Sequence, residues 1–217
     1  MKIFEKTKTG NIRTIRLFGV KVCSYRAKLR RGYLKEKGSG NRVINQPGNL
    51  KISIYGSGNS VEFEEPGAYF RGELQIGVPE CPVSGCRFRV GAGSRAMGVF
   101  MIMTESGSEI DIGRNVLFSW DVSVFDTDTH ALVDADGALL NGGPKKMTVA
   151  DKCWIGHRAL LMKNVRLPEG TIVGAGAVVS AKAVSDEPYC AYAGNPAQEI
   201  RRDVHWDPAR PDAYAKL

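Results

Sequence analysis

From Val149 onward the chain sets an aliphatic residue at every sixth position: Val149, Ile155, Leu161, Leu167, Val173 and Val179. Four positions after each stands a small or modest residue: Cys153, Ala159, Val165, Thr171, Ala177 and Ala183. A helix repeats every 3.6 residues and a strand every two, so neither produces a spacing of six. The pattern predicts a solenoid of short parallel strands joined by tight turns. Each hexad sends one aliphatic side chain into a narrow core, the small residue lets the chain turn, and three hexads close one triangular coil. A single coil cannot bury its own faces, so several must stack.

The same metre runs earlier through Ile112, Phe118 and Val124, with Val116, Val122 and Asp128 at the fourth positions. Further back it degrades, although "LQIG" at Leu74, "FRVGAG" at Phe88 and "EIDIG" at Glu109 mark coils with insertions. The expected organisation is a basic N-terminal extension (1–42), a β-helix domain (43–184) and a C-terminal segment and tail (185–217). Residues 1–42 carry 13 of the 30 Lys/Arg and 2 of the 23 Asp/Glu, a balance of +11 within a net charge of +7. Such an arm suits an anionic surface or acceptor. Its aromatics, Phe18, Tyr25 and Tyr33, are not spaced as a stacking platform, which argues against nucleic acid.

No apolar run approaches the roughly 20 residues of a membrane span, and the first 20 residues lack the continuous apolar segment of a secretory signal. A cytoplasmic location is therefore expected, with peripheral contact at a membrane face open to the basic arm. The five cysteines are scattered. Cys81 and Cys86 bracket "PVSG" without a second pair at zinc-binding spacing, so they read as incidental thiols in a bend.

The metre breaks at "VFDTDTH". Continuation would bury an aliphatic residue at position 130, and the chain has His130 there. An excursion over 131–148, rich in Gly, Asp and Lys, follows before Val149 resumes the count. An excursion from a rigid scaffold reads as a functional loop. Asp-x-Asp-x-His has the donors for a metal, but it serves equally as a catalytic loop or a polar turn. Asp128 falls at a hexad corner, and Asp126 has the chemistry to orient an imidazole, as the carboxylate of a catalytic triad does.

His130 before a loop, then "CWIG", "VGAGAVVSAKAV" and "AGNPAQEIRR", resembles the hexapeptide-repeat acyltransferases. The likeness is greatest to the sugar and polysaccharide O-acetyltransferases and covers about residues 110–202. It implies an all-β, left-handed parallel β-helix, the handedness coming from the resemblance alone. It also implies direct acetyl transfer from acetyl-CoA to a sugar hydroxyl, with no metal. On that template His130 is the general base, a role that suits an imidazole with an ordinary pKa of about 6.5. Trp154 lies beside the thiol end of the cofactor, and its register points it outward. Ala175 and Ser180 match cofactor-contacting positions, and Arg201 matches a basic residue near the phosphates. Gln198 stands where the family commonly has Lys or Arg, so Lys182 or Arg202 would compensate. His157 faces outward and either lines the cofactor groove or is a surface histidine. The family also implies a homotrimer with active sites between subunits.

Three other readings fit part of the pattern. An N-acyltransferase acting on an amino sugar would share fold, cofactor and histidine. A β-helix holding zinc on three histidines would need His130, His157 and His205 together, and His205 lies outside the repeats. A non-catalytic binding module would have no use for the loop, His130 or "GNPA".

Overall fold

A computed structural model describes residues 33–209 throughout, together with the backbone of three earlier strands, β1 (Phe4–Thr9), β2 (Ile12–Leu17) and β3 (Val20–Arg26). Those three form their own antiparallel sheet, in the order β1-β2-β3, within a compact unit spanning Met1–Arg31. Where the sequence suggested an extension, the backbone is thus paired. The side chains of the basic arm before Tyr33 lie outside the described residues.

Gly32–Leu217 form the second unit. It is all-β, with no helix among the described residues, and it is a left-handed parallel β-helix. Its first face carries β5 (Arg42–Ile44), β7 (Ser60–Phe63), β9 (Arg87–Val90), β11 (Glu109–Ile112), β14 (Lys146–Val149) and β17 (Arg166–Leu167), stacked in that order. The other two faces form one sheet that bends along the nine-residue β10 (Arg95–Met103). The start of β10 pairs with β12 (Leu117–Phe118), beginning a second face continued by β15 (Trp154–Ile155), β18 (Ile172–Val173) and β20 (Ala191–Ala193). The end of β10 pairs with β13 (Val122–Phe125), and this third face continues through β16 (Leu160–Leu161) and β19 (Val178–Val179). Beneath β10 lie β8 (Phe70–Ile76), β6 (Leu50–Tyr55) and β4 (Tyr33–Lys37). The parallel coils therefore begin at Tyr33, ahead of the boundary expected at 43, and they run past 184 to β20. A final antiparallel strand, β21 (Gln198–Arg201), closes the top.

Register confirms three hexads per coil. Val149 of β14 leads to Leu167 of β17, Ile155 pairs with Val173, and Leu161 pairs with Val179. All six aliphatic positions are buried, as are Cys153, Ala159, Val165, Thr171 and Ala177. The small residues thus fill the core as well as letting the chain turn. The turning is done one residue earlier. Asn115, Asp121, Lys152, Arg158 and Asn164 have φ between 56° and 61°, and Gly170 and Gly176 have φ 70°. Each is a left-handed residue that swings the next side chain inward. In the coils before the loop Phe63, Phe70, Phe88 and Phe118 replace aliphatic residues and meet edge-on or tilted, with ring centroids 5.3–6.0 Å apart.

The outer surfaces of the faces differ. The first bears a charge ladder: Arg87 pairs with Glu109, Arg89 with Asp111 at 3.0 Å, and Lys146 with Glu109 at 3.6 Å. Such exposed pairs add little stability and mark a solvated side. The third is largely apolar, its outward positions being Phe100, Ile102, Ser123, Phe125, Leu160, Met162, Val178 and Ser180, with Phe100 and Phe125 5.9 Å apart. Among the described residues no helix is long and apolar enough to cross a membrane. Cys81, Cys86, Cys153 and Cys190 are free thiols, and burial pushes Cys86 up to about 11 and Cys153 up to about 12. Buried neutral thiols of this kind are inert.

Candidate active site

The chain leaves the third face after Phe125 and returns at Lys146 on the first, so the excursion departs from the third-to-first corner. The metre would put a left-handed corner residue at 127 and turn Asp128 inward. Instead Asp126 and Thr127 are buried, Asp128 is half-buried, and the left-handed residue is Thr129, with φ 69°. A β-branched residue with positive φ is a backbone outlier. Its N–H donates to Thr127 Oγ1 at 2.8 Å, and His130 follows with its side chain exposed. Replacing Thr129 with Asn, which tolerates this conformation, is expected to raise stability by about 1 kcal/mol. The urea midpoint at unchanged slope measures it; a lower midpoint would mean the site holds Thr129 without strain.

Asn141 gathers the root of the loop. Its Nδ2 donates to Asp128 Oδ2 and to the His130 carbonyl, both at 2.8 Å, and its Oδ1 accepts the Leu132 N–H at 2.8 Å. Asp128 is also ion-paired to Lys163, one coil above, which holds its carboxyl below the usual range. Buried Lys145 donates to the carbonyls of Asn141 at 3.0 Å, Gly142 at 2.7 Å and Gly143, turning the chain back toward β14. Between these anchors the loop doubles back through a Val133–Leu139 bridge, leaving Leu132, Val133, Leu139 and Leu140 exposed. Asn141, Lys145 and Lys163 escaped the sequence reading, because their bonds span the loop or join neighbouring coils and leave no periodic trace.

Asp126 bonds elsewhere than to His130. It is fully buried, its Oδ1 accepts the Thr104 N–H at 2.9 Å, and its Oδ2 has no hydrogen-bond partner. Burial pushes its carboxyl up to about 6, against the opposing pull of the Thr104 N–H. Its bond ties the loop root to the coil below, and no hydrogen bond joins it to the imidazole.

The other candidates sit elsewhere on the same solenoid. Trp154 stands outward on the second face, 38% exposed, with its Nε1–H donating to Ser119 Oγ at 3.2 Å. Its ring is partly covered by the chain's own tail: Trp206 lies 6.2 Å away at 44° and donates its Nε1–H to the Lys152 carbonyl. Exposed His157 and Ala175 occupy successive levels of the second-to-third corner, joined by a Gly176 N–H bond to the His157 carbonyl at 2.7 Å. One level below is Trp120, 57% exposed, whose carbonyl accepts the Arg158 N–H at 3.0 Å. Trp120 was missed, although it precedes a left-handed corner residue just as His157 and Ala175 do.

Exposed Ser180 and Lys182 follow β19 toward the third-to-first corner, while Gln198 and Arg201 lie on β21. Arg202 is ion-paired to Glu199, whereas Lys182 and Arg201 enter no ion pair among the described residues. One chain therefore groups Trp154, His157, Ala175, Gln198 and Arg201 toward the second face and its corner with the third. His130 lies at the opposite edge of the third face. His205 stacks on Tyr189, with ring centroids 4.3 Å apart, in the tail beyond the last coil. Among the described residues no group of three or more His, Cys, Asp or Glu is placed to hold a metal.

Two curated proteins resemble the chain in sequence. A polysialic acid O-acetyltransferase of Escherichia coli O1:K1 / APEC is 25% identical over 124 residues, which is 57% of this chain and 37% of that protein. A Schizosaccharomyces pombe protein named as an acetyltransferase is 33% identical over 96 residues, 43% of each chain. The chain spans less than half the length of both relatives. Among solved structures, the polySia-specific acetyltransferase NeuO matches with a TM-score of 0.63 and 22% identity, covering 86% of this chain and 91% of that one. The polysialic acid O-acetyltransferase OatWY matches with a TM-score of 0.61 and 19% identity, covering 80% of this chain and 92% of that one. No family model matches. Both solved structures share the fold, and the relatives in sequence are named as acetyltransferases.

Proposed function

We propose that the protein transfers acetyl groups from acetyl-CoA to a hydroxyl of a sugar, oligosaccharide or polysaccharide, with His130 as general base. The observation that carries this reading is His130 itself: exposed, and held by its backbone where the solenoid emits its loop, on the fold shared with NeuO and OatWY. Its imidazole takes the proton of the acceptor hydroxyl as that oxygen attacks the thioester carbonyl. The tetrahedral intermediate then expels the thiolate of coenzyme A, which receives the proton back. Negative charge on the carbonyl oxygen needs N–H donors in the cleft.

The residues present fit the cofactor. Ala175 and Gly176, at the second of which an added Cβ would meet nothing within 4 Å, keep one wall low, so that a pantetheine chain can lie against backbone. Trp154 offers an exposed indole face for the thiol end, and Lys182 and Arg201 offer unpaired cations for phosphates. His157 lines the same corner as Ala175, Gln198 lies on β21, and Ser180 and Lys182, at the third-to-first corner, would face the cofactor held by a neighbouring copy.

His130 and Trp154 lie on opposite sides of the apolar third face, which favours a site shared between copies. If three copies turn that face toward a common axis, the second-to-third corner of one meets the third-to-first corner of the next, and the ring closes. The basic residues 1–42 favour an acidic glycan, or an acceptor held at an anionic membrane face, in a cytoplasmic protein.

The test is coenzyme A release from acetyl-CoA over a panel of neutral, amino and acidic sugars and oligosaccharides, at low and high salt. Esterified product, with the acidic acceptors losing apparent affinity as salt rises, is the expected result. Amide product would instead favour N-acylation of an amino sugar, and no acetyl-CoA turnover with any acceptor would overturn the enzyme reading.

A further inference from the structure

We propose that Asn141 is the positioning residue of the site, fixing the backbone from Asp128 to Leu132 so that the imidazole of His130 is presented in one orientation. This rests on the reading of His130 as the base. Asn141 uses both of its amide hydrogens and an oxygen lone pair on three alternate residues: the Asp128 carboxylate, the His130 carbonyl and the Leu132 N–H. The amide therefore spans the histidine and grips the peptide on either side of it.

His130 needs such a grip. It is exposed, it follows a strained Thr129, and it belongs to no strand. The imidazole itself has no hydrogen-bond partner among the described residues, so its placement comes from the backbone that carries it. The clasp is in turn braced from outside the loop. Lys163 holds Asp128 from the coil above, and Lys145 holds the Asn141 carbonyl at 3.0 Å. Asp128 thus acts through Asn141 as the link between the rigid solenoid and the base.

The charged and titratable groups facing this clasp are Asp128 and His130 in the loop, Lys145 before β14 and Lys163 between β16 and β17. In Asn141→Ala all three bonds vanish and no charge is added. In Asn141→Asp both donors are lost and a second carboxylate faces Asp128 Oδ2. Two carboxylates at that distance share a proton readily, and the shared proton restores one of the bonds.

Four proteins are compared in the acetyl-transfer assay: wild type, Asn141→Ala, Asn141→Asp and His130→Ala. Thermal melts are run alongside, together with amide exchange at Leu132. Misplacing a reacting group by about an ångström costs about a hundredfold. Asn141→Ala is therefore expected to lower kcat about 10- to 100-fold with KM for acetyl-CoA within about twofold, an unchanged melt and faster exchange at Leu132. The kcat of Asn141→Asp relative to wild type is expected to rise as pH falls from about 7.5 to about 5.5, a recovery that loss of loop structure alone would not produce. If His130→Ala is inactive while both Asn141 variants keep kcat within about twofold of wild type, the clasp has no positioning role and the general-base reading stands. If Asn141→Asp loses activity in parallel with wild type at every pH, the shared-proton bond and the positioning role fall together. Full activity of His130→Ala would overturn the base and the clasp with it.

Discussion

His130→Ala is expected to lower acetyl transfer about 10²- to 10⁴-fold, the range that a positioned general base contributes. The loss belongs in kcat, because alanine removes the proposed proton acceptor and leaves the loop's anchors in place. Asn141 bonds the backbone carbonyl of residue 130, and Asp128 stays paired to Lys163. Affinity for acetyl-CoA should stay within a few-fold, since Trp154, Ala175 and Arg201 lie on other parts of the solenoid. Initial rates at saturating acetyl-CoA and acceptor, with calorimetric titration of acetyl-CoA, separate the two effects. Activity retained within about threefold would remove His130 from the chemistry. A loss confined to acetyl-CoA affinity would make it a binding residue.

Asp126 governs the second large effect, which is on stability. Its carboxyl lies at about 6 in the folded chain against 3.8 ordinarily, because burial disfavours the charge more than donors from Thr104, Ser108 and Glu105 favour it. The folded chain therefore binds a proton more tightly than the unfolded chain. The stabilisation is fully present below about pH 4, is lost as pH climbs to about 6, and changes no further above that. The gap corresponds to about 3 kcal/mol. Other carboxylates work in the opposite sense: Glu64, paired with Arg114, is held down to about 2, and Glu109 and Asp128 are held below their usual range. The informative quantity is thus the difference between wild type and Asp126→Asn, which cannot ionise at that position. Urea denaturation from pH 3 to pH 7 should show the stability of Asp126→Asn rising relative to wild type by about 3 kcal/mol. Parallel profiles would mean that Asp126 is solvated in the folded chain.

The hexads made most of the solenoid legible. Every aliphatic position counted from Val149 is buried, because a narrow three-sided core accepts side chains only where the chain faces its axis. The break at His130 was legible for the same reason, since a periodic scaffold exposes any departure from its period. Other features involved partners that periodicity does not report. Asp126 was considered an orienting group for the imidazole, yet its bond reaches Thr104, one coil below. The resemblance puts Trp154 beside a thiol, and Trp206 from the tail lies against the same ring. The coils start earlier than the metre predicts, because β4 pairs with β6 without keeping the six-residue count. Trp120 was legible in principle: once left-handed corners are recognised at Asp121, Arg158 and Gly176, the residue before each belongs to one vertical row.

The excursion at the third-to-first corner leaves and rejoins coils whose registers are set independently of it. Ile112 pairs with Val149 across the first face, and Val124 with Leu161 across the third. The loop is therefore a cassette held by a few terminal fasteners. Segments of different length and chemistry can be spliced between Leu132 and Leu140 while Asp128, Asn141 and Lys163 go on gripping the ends. On the proposed function, acceptor choice can then diverge in one short stretch of chain, with the corner that carries Trp154 and Ala175 and the core left untouched.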